Sequence, residues 1–97
     1  MGSLSWISPE IASGMSYSKE VDIWSFGCFA YELATGYPPF MSLSDKPEKL
    51  LQSILNKPIK RIPNKYSNEF ADFVSRCLKK DRDQRYTIEM LMAHEFL

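Results

Sequence analysis

Lys19-Glu20-Val21-Asp22-Ile23-Trp24-Ser25-Phe26-Gly27-Cys28-Phe29-Ala30-Tyr31-Glu32-Leu33-Ala34 is the stretch that decides the fold. It reads as one helix over about 19–34. Ser18 can cap its start, and Glu20 and Asp22 put negative charge near its positive end. Gly36 stops it and Pro38-Pro39 forbid its continuation. The apolar residues Val21, Ile23, Trp24, Phe26, Cys28, Phe29, Ala30, Tyr31 and Leu33 do not form one stripe but cover nearly the whole circumference. A helix apolar all round in a globular chain is buried all round. The sequence therefore predicts a helical lobe built around this rod, with no strand pattern elsewhere.

Three shorter helices flank the rod. Asp45 and Glu48 form a capping-box pattern at the start of a helix over about 46–56, with Leu50, Leu51, Ile54 and Leu55 on one face and Pro58 beyond its end. Ser67 can cap a helix over about 67–79 whose Phe70, Phe73, Val74, Cys77 and Leu78 follow the spacing of a core-facing stripe. Thr87 can cap a short helix over about 88–93. Upstream, residues 1–7 read as an extended loop, Pro9 can open a helical turn through Ala12, and Gly14 can close it. Covering every side of the 19–34 rod takes more than these partners, so part of its surface is expected to await chain that is not here.

Composition narrows the function. With 97 residues the chain is one domain with a modest core. Twelve basic against twelve acidic residues give a net charge of zero, which offers no general attraction to nucleic acid or an anionic membrane. No apolar run approaches the roughly 20 residues of a membrane-spanning helix. Cys28 and Cys77 sit in apolar helical patterns and form no Cys/His cluster, so buried free thiols in a reducing, intracellular and cytoplasmic setting are expected, and no metal site. His94, the one histidine, has no nucleophile or carboxylate motif beside it and reads as a helix-end residue.

The run Gly2-Ser3-Leu4-Ser5-Trp6-Ile7-Ser8-Pro9-Glu10, followed twelve residues later by Asp22-Ile23-Trp24-Ser25-Phe26-Gly27, resembles the end of the activation segment (1–10) and the central helix of the large lobe of eukaryotic protein kinases. Glu32 to Phe40, ending Gly36-Tyr37-Pro38-Pro39-Phe40, is similar to serine/threonine kinases of the Sterile group, and Phe70 to Phe96 resembles the last helices of the same lobe. The chain departs from the family at Leu4, and at Arg82, Tyr86 and Glu95, where proline is common. The resemblance spans residues 2–97 and implies a mainly α fold, the helical C-terminal subdomain of a kinase without the small lobe's sheet.

The resemblance also implies roles. Glu10 and Arg85, which the residues alone leave as ordinary solvated charges, are implied to pair as a structural ion pair. Asp22, by itself a helix-dipole acid, is implied to anchor the catalytic loop, with Trp24 and Gly27 as further structural anchors. Ser3, Leu4, Trp6 and Ile7, otherwise a chain-end tail, are implied to line the pocket for the substrate residue after the phosphorylated one. The complete kinase would use ATP and magnesium and act on a protein substrate.

Phosphoryl transfer needs a phosphate-covering glycine loop, a phosphate-binding lysine, metal ligands and a catalytic aspartate. The sequence contains no Gly-x-Gly-x-x-Gly, no Val-Ala-x-Lys, no His-Arg-Asp and no Asp-Phe-Gly. The expectation is therefore a kinase segment inactive by itself, whose partners are the protein substrate and the remainder of the kinase domain. A non-catalytic, kinase-like interaction module docking partners through the 46–56 helix is the alternative.

Overall fold

In the computed structural model, residues 6–40, 46–59, 62, 63 and 65–96 are described. They form five α-helices, with no strand among the described residues: α1 Pro9–Ala12, α2 Lys19–Thr35, α3 Pro47–Asn56, α4 Asn68–Cys77 and α5 Ile88–Met92. A 3-10 turn, Arg82–Gln84, precedes α5. The fold is mainly helical, with α2 packed most closely on α4.

Local chemistry sets most helix ends. Ser67 Oγ accepts from the Phe70 N–H at 3.1 Å, and Thr87 Oγ1 from the Met90 N–H at 3.2 Å. Gly36 takes a left-handed φ of 84° and returns its N–H to the Glu32 carbonyl, closing α2 one residue beyond the expected end. Three sequence expectations need correction. Ser18 makes no capping bond; its hydroxyl donates to Glu20 Oε1 at 2.8 Å. The N-cap position of α3 is Lys46, whose side chain makes no capping bond, and Asp45 of the expected capping box lies outside the described residues. Finally, α4 stops at Cys77 and not at 79, because Leu78 leaves helical geometry (φ −103°, ψ 37°). That departure frees the Lys79 and Lys80 carbonyls to turn toward Arg85.

The core forms where α2, α3, α4, α5 and the intervening loops meet. Trp24, Cys28, Ile54, Phe73, Val74 and Cys77 are almost completely buried. Each large apolar side chain so placed contributes about 1.5–3 kcal/mol. Trp24 stacks on Phe40 with centroids 6.1 Å apart. Lys80 caps the same cluster: its Nζ lies 4.2 Å from the Phe40 ring centre and donates to the Ile54 carbonyl near the end of α3. Burial pushes the Cys28 and Cys77 thiols up to about 12; both cysteines are free.

The rod is not buried on every side. Val21, Ile23, Trp24, Gly27, Cys28 and Tyr31 face the core, while Phe26, Phe29 and Leu33 are 45%, 45% and 71% exposed. The last three fall on one stripe at helical spacing, so the apolar circumference divides into a covered and an uncovered face.

Gly27 fixes the closest approach of α2 to α4. A Cβ there would stand 2.6 Å from Cys77 Cβ and 3.0 Å from Leu78 Cδ2. Alanine is the better helix former by about 1 kcal/mol, but Cys77 Cβ is fixed to its backbone and cannot swing aside. Gly27→Ala is expected to lower stability by about 1–3 kcal/mol through overpacking. A urea midpoint unchanged or raised by the substitution would contradict this packing.

Candidate functional site

The segment Trp6–Glu10 lies against the rod and is fastened at both ends. At its downstream end, Ser8 caps α1, accepting from the Ile11 N–H at 3.4 Å, and Pro9 occupies the first turn, where its missing N–H costs nothing. This places Glu10 inside the protein, 4% exposed, facing Arg85.

Arg85 grips Glu10 with both arms of its fork: Nη1 donates to Oε2 at 2.7 Å and Nη2 to Oε1 at 2.9 Å. Three further bonds run to backbone carbonyls. Nη1 also donates to Glu20 at 2.7 Å, Nε to Lys79 at 2.9 Å, and Nη2 to Lys80 at 3.4 Å. Guanidinium has five N–H donors, and every one is used. The Trp24 ring lies 5.2 Å from the guanidinium carbon. One buried side chain thus joins α1, the first turn of α2 and the loop after α4.

Burial works to raise the Glu10 carboxyl. The Arg85 hydrogen bonds and charge, with the Glu10 backbone N–H and Ser8, outweigh it and hold the group below its ordinary value of 4.5. In the unfolded chain Glu10 therefore takes up its proton at higher pH than in the folded one. The stabilisation is complete above the ordinary carboxylate range and is lost as pH falls through the depressed folded value.

At its upstream end, the half-buried Trp6 donates Nε1–H to Glu32 Oε1 at 2.9 Å and meets Phe29 edge-on at 5.9 Å. Ile7 is half-buried beside it and packs against the core. Ser3 and Leu4 lie outside the described residues. Glu32 is a site residue that sequence reading passed over. The available signal was an indole N–H that needs an acceptor once partly buried, but an acceptor 26 residues away has no motif.

The remaining sequence-derived residues divide. Trp24 lies beneath Arg85, and its Nε1 has no acceptor among the described residues. Gly27 sits at the α2–α4 contact. Asp22 points out of the core in the first turn of α2 and accepts from the Tyr17 hydroxyl. That hydrogen bond, with a little burial and the nearby negative charge, raises the Tyr17 pKa. Glu10, Arg85 and Trp24 therefore form one constellation, Trp6 and Ile7 a second beside it, and Asp22 stands apart from both.

Another polar cluster ties α4 to the chain's last described turn. His94 Nε2 lies 2.8 Å from Asp72 Oδ2, and Nδ1 accepts the Phe96 N–H at 3.0 Å. With Nδ1 an acceptor, the ring proton sits on Nε2, facing the carboxylate. The hydrogen bond from His94, assisted by Arg76, outweighs desolvation and lowers the Asp72 pKa. Both ring nitrogens are occupied in holding the fold.

The model of the protein kinase domain family matches residues 1–97 of the chain. The chain is 42% identical over 98 residues to the serine/threonine-protein kinase ppk11 of Schizosaccharomyces pombe, covering all of this chain and 31% of that protein. It is 39% identical over 99 residues to the serine/threonine-protein kinase hippo of Drosophila melanogaster, and 38% over 97 residues to the serine/threonine-protein kinase pakB of Dictyostelium discoideum. All of this chain is covered in both cases, against 14% and 11% of the relatives. The chain thus spans between about a tenth and a third of the length of these relatives.

Removing one member of a buried, hydrogen-bonded ion pair strands the other, at a cost of about 3–5 kcal/mol. Arg85→Ala is expected to lose stability on that scale in thermal or urea unfolding. Arg85→Lys should recover only part of it, since an ammonium has three donors and no fork. An unchanged melting temperature in Arg85→Ala would show that the pair carries no stability. The wild-type chain should lose stability below about pH 5, and a flat profile from pH 7 to 3 would contradict the depressed Glu10 carboxyl.

Proposed function

The chain belongs to the protein kinase domain family, and on that premise we propose that it is the substrate-side part of the large lobe of a serine/threonine kinase of the Sterile type. In this reading the complete protein transfers the γ-phosphate of ATP to a hydroxyl of a protein substrate. This segment contributes the lobe's scaffold and one wall of the substrate site.

The observation that carries the reading is the double fastening of Trp6–Glu10. Trp6 is held by Glu32 and Glu10 by Arg85. A surface that receives a peptide must keep its shape when the peptide leaves, and two anchors from distant parts of the chain provide that. Trp6, Phe29 and Ile7 offer an apolar lining, which favours an apolar substrate side chain next to the phosphorylated residue by removing it from water. Glu32 acts here as a positioning residue, since it fixes the indole.

The uncovered stripe Phe26, Phe29 and Leu33 and the outward-facing Asp22 fit the same reading: they supply a contact face and a hydrogen-bond acceptor for the remainder of a kinase domain. The residues present do not fit ATP and magnesium. Among the described residues no three carboxylate, histidine or cysteine side chains converge as a metal site requires, and the sequence has no phosphate-covering glycine loop. No chemical step is assigned to this chain, and nucleotide and metal belong, in this proposal, to the complete kinase.

Two measurements test the proposal. Calorimetric titration of the 97-residue chain with ATP and magnesium is expected to give no heat of binding, and micromolar binding would overturn the inactive-segment reading. In a complete kinase carrying this segment, Trp6→Ala is expected to raise KM for a protein substrate roughly tenfold while leaving KM for ATP unchanged, as loss of substrate binding requires. A change confined to the ATP KM would contradict the assigned role.

A further inference from the structure

The zero net charge conceals a local asymmetry. Residues 1–40 hold four carboxylates, Glu10, Glu20, Asp22 and Glu32, against one cation, Lys19. Arg85 pairs with Glu10 only. Glu20 and Asp22 fall in the first turn of α2, and Arg85 decides what they face. By donating to the Glu20 carbonyl at 2.7 Å, it holds the residues that follow it, Tyr86 to Glu89, against that turn.

A recess of about 230 Å3 opens there, between Glu20, Asp22 and Ile23 of α2 and Tyr86, Ile88 and Glu89. Its walls are mainly apolar. Ile23 is buried, whereas Ile88, at the start of α5, is 56% exposed and leaves half of its side chain for a partner. Tyr86 is held in place: its N–H donates to the Arg76 carbonyl at 3.2 Å, and the Arg76 guanidinium lies 5.6 Å from its ring centre. Proline, common at this position in the kinases this chain resembles, has neither that N–H nor a wall of that size. The recess in this form is therefore a property of this chain.

Three carboxylates, Glu20, Asp22 and Glu89, meet at the recess against a single cation, Lys19. The ion pairs among the described residues use none of the four. Glu20 and Asp22 accept the hydroxyls of Ser18 and Tyr17, neutral donors that leave both charges in place. The volume lies below the roughly 300–1,000 Å3 of small-molecule sites and suits a single side chain. An apolar recess bordered by excess negative charge has a definite complement: an apolar side chain flanked by cations.

We propose that the recess between α2 and α5 is a docking site for a basic segment of a partner protein. An aliphatic side chain sits among Ile23, Tyr86 and Ile88, and its neighbouring Lys or Arg residues lie against Glu20, Asp22 and Glu89. Carboxylates at the mouth repel nucleic acid and anionic lipid alike, which leaves a protein segment as the occupant. The recess lies at the opposite end of α2 from Glu32, the anchor of Trp6. Failure of the docking site would therefore leave the substrate-wall reading intact.

The test is fluorescence anisotropy of a labelled peptide, Arg-Lys-Gly-Leu-Arg-Lys, titrated with the 97-residue chain and with a complete kinase that contains it. Saturable binding to both is expected, weakening as salt rises. The double variant Asp22→Asn/Glu89→Gln removes two charges at exposed positions and keeps their size; it should bind at least tenfold more weakly while unfolding at the wild-type temperature. Lys19→Gln, which removes the opposing cation, should bind more tightly. A peptide with Ser in place of Leu should lose binding. No binding by the 97-residue chain, equal binding by the double variant, equal or weaker binding by Lys19→Gln, or equal binding of the Ser peptide would overturn the proposal. Binding by the 97-residue chain and none by the complete kinase would also overturn it, assigning the recess to a contact inside the kinase domain.

Discussion

Arg85 is a buried cation whose five donors all end on protein oxygen, and the arrangement of the other elements follows from meeting that demand. Two acceptors come from Glu10, and three are carbonyls of Glu20, Lys79 and Lys80. A guanidinium taken out of water without partners is costly. The chain must therefore hold α1 close to the start of α2 and end α4 early enough for two carbonyls to turn inward. The first residues of the described chain and its last helices, separated by 75 positions, are tied through one side chain.

The same fastening explains the two characters of α2. Its inner face packs on α4 at Gly27 and under Arg85 at Trp24, where space is tight enough to exclude a methyl group. Its outer face carries Phe26, Phe29 and Leu33. Phe29 supports Trp6 from that side, so part of the outer stripe already builds the proposed substrate wall. An exposed apolar stripe is costly in water and is commonly covered by a partner. That cover is what membership of a larger kinase domain would provide.

Some of this is legible in the sequence because it is local. Ser67 and Thr87 bond to N–H groups three residues on, and Gly36 ends its helix by its own backbone freedom. The pairing of Glu10 with Arg85 was accessible only through family resemblance, since charge and spacing alone do not distinguish a buried pair from two solvated residues. Other features were hidden because they depend on distant contacts. The end of α4 at Cys77 answers to Arg85, not to the apolar spacing that continues through Leu78. Ser18 carries the right side chain for a cap and spends it on Glu20. The partnership of Trp6 with Glu32 and the divided burial of α2 follow from which surfaces the rest of the chain covers, which periodicity does not report.

The most direct test of the Arg85 fastening is its own side-chain protons, observed by NMR in nitrogen-15-labelled protein. If all five donors are bonded inside the core, the Nε–H and the four Nη–H protons of Arg85 will appear as separate, slowly exchanging signals, unlike those of the exposed Arg76. A single averaged Nη signal exchanging with water as fast as that of Arg76 would mean that the fork is free and that the lobe is held together by something else.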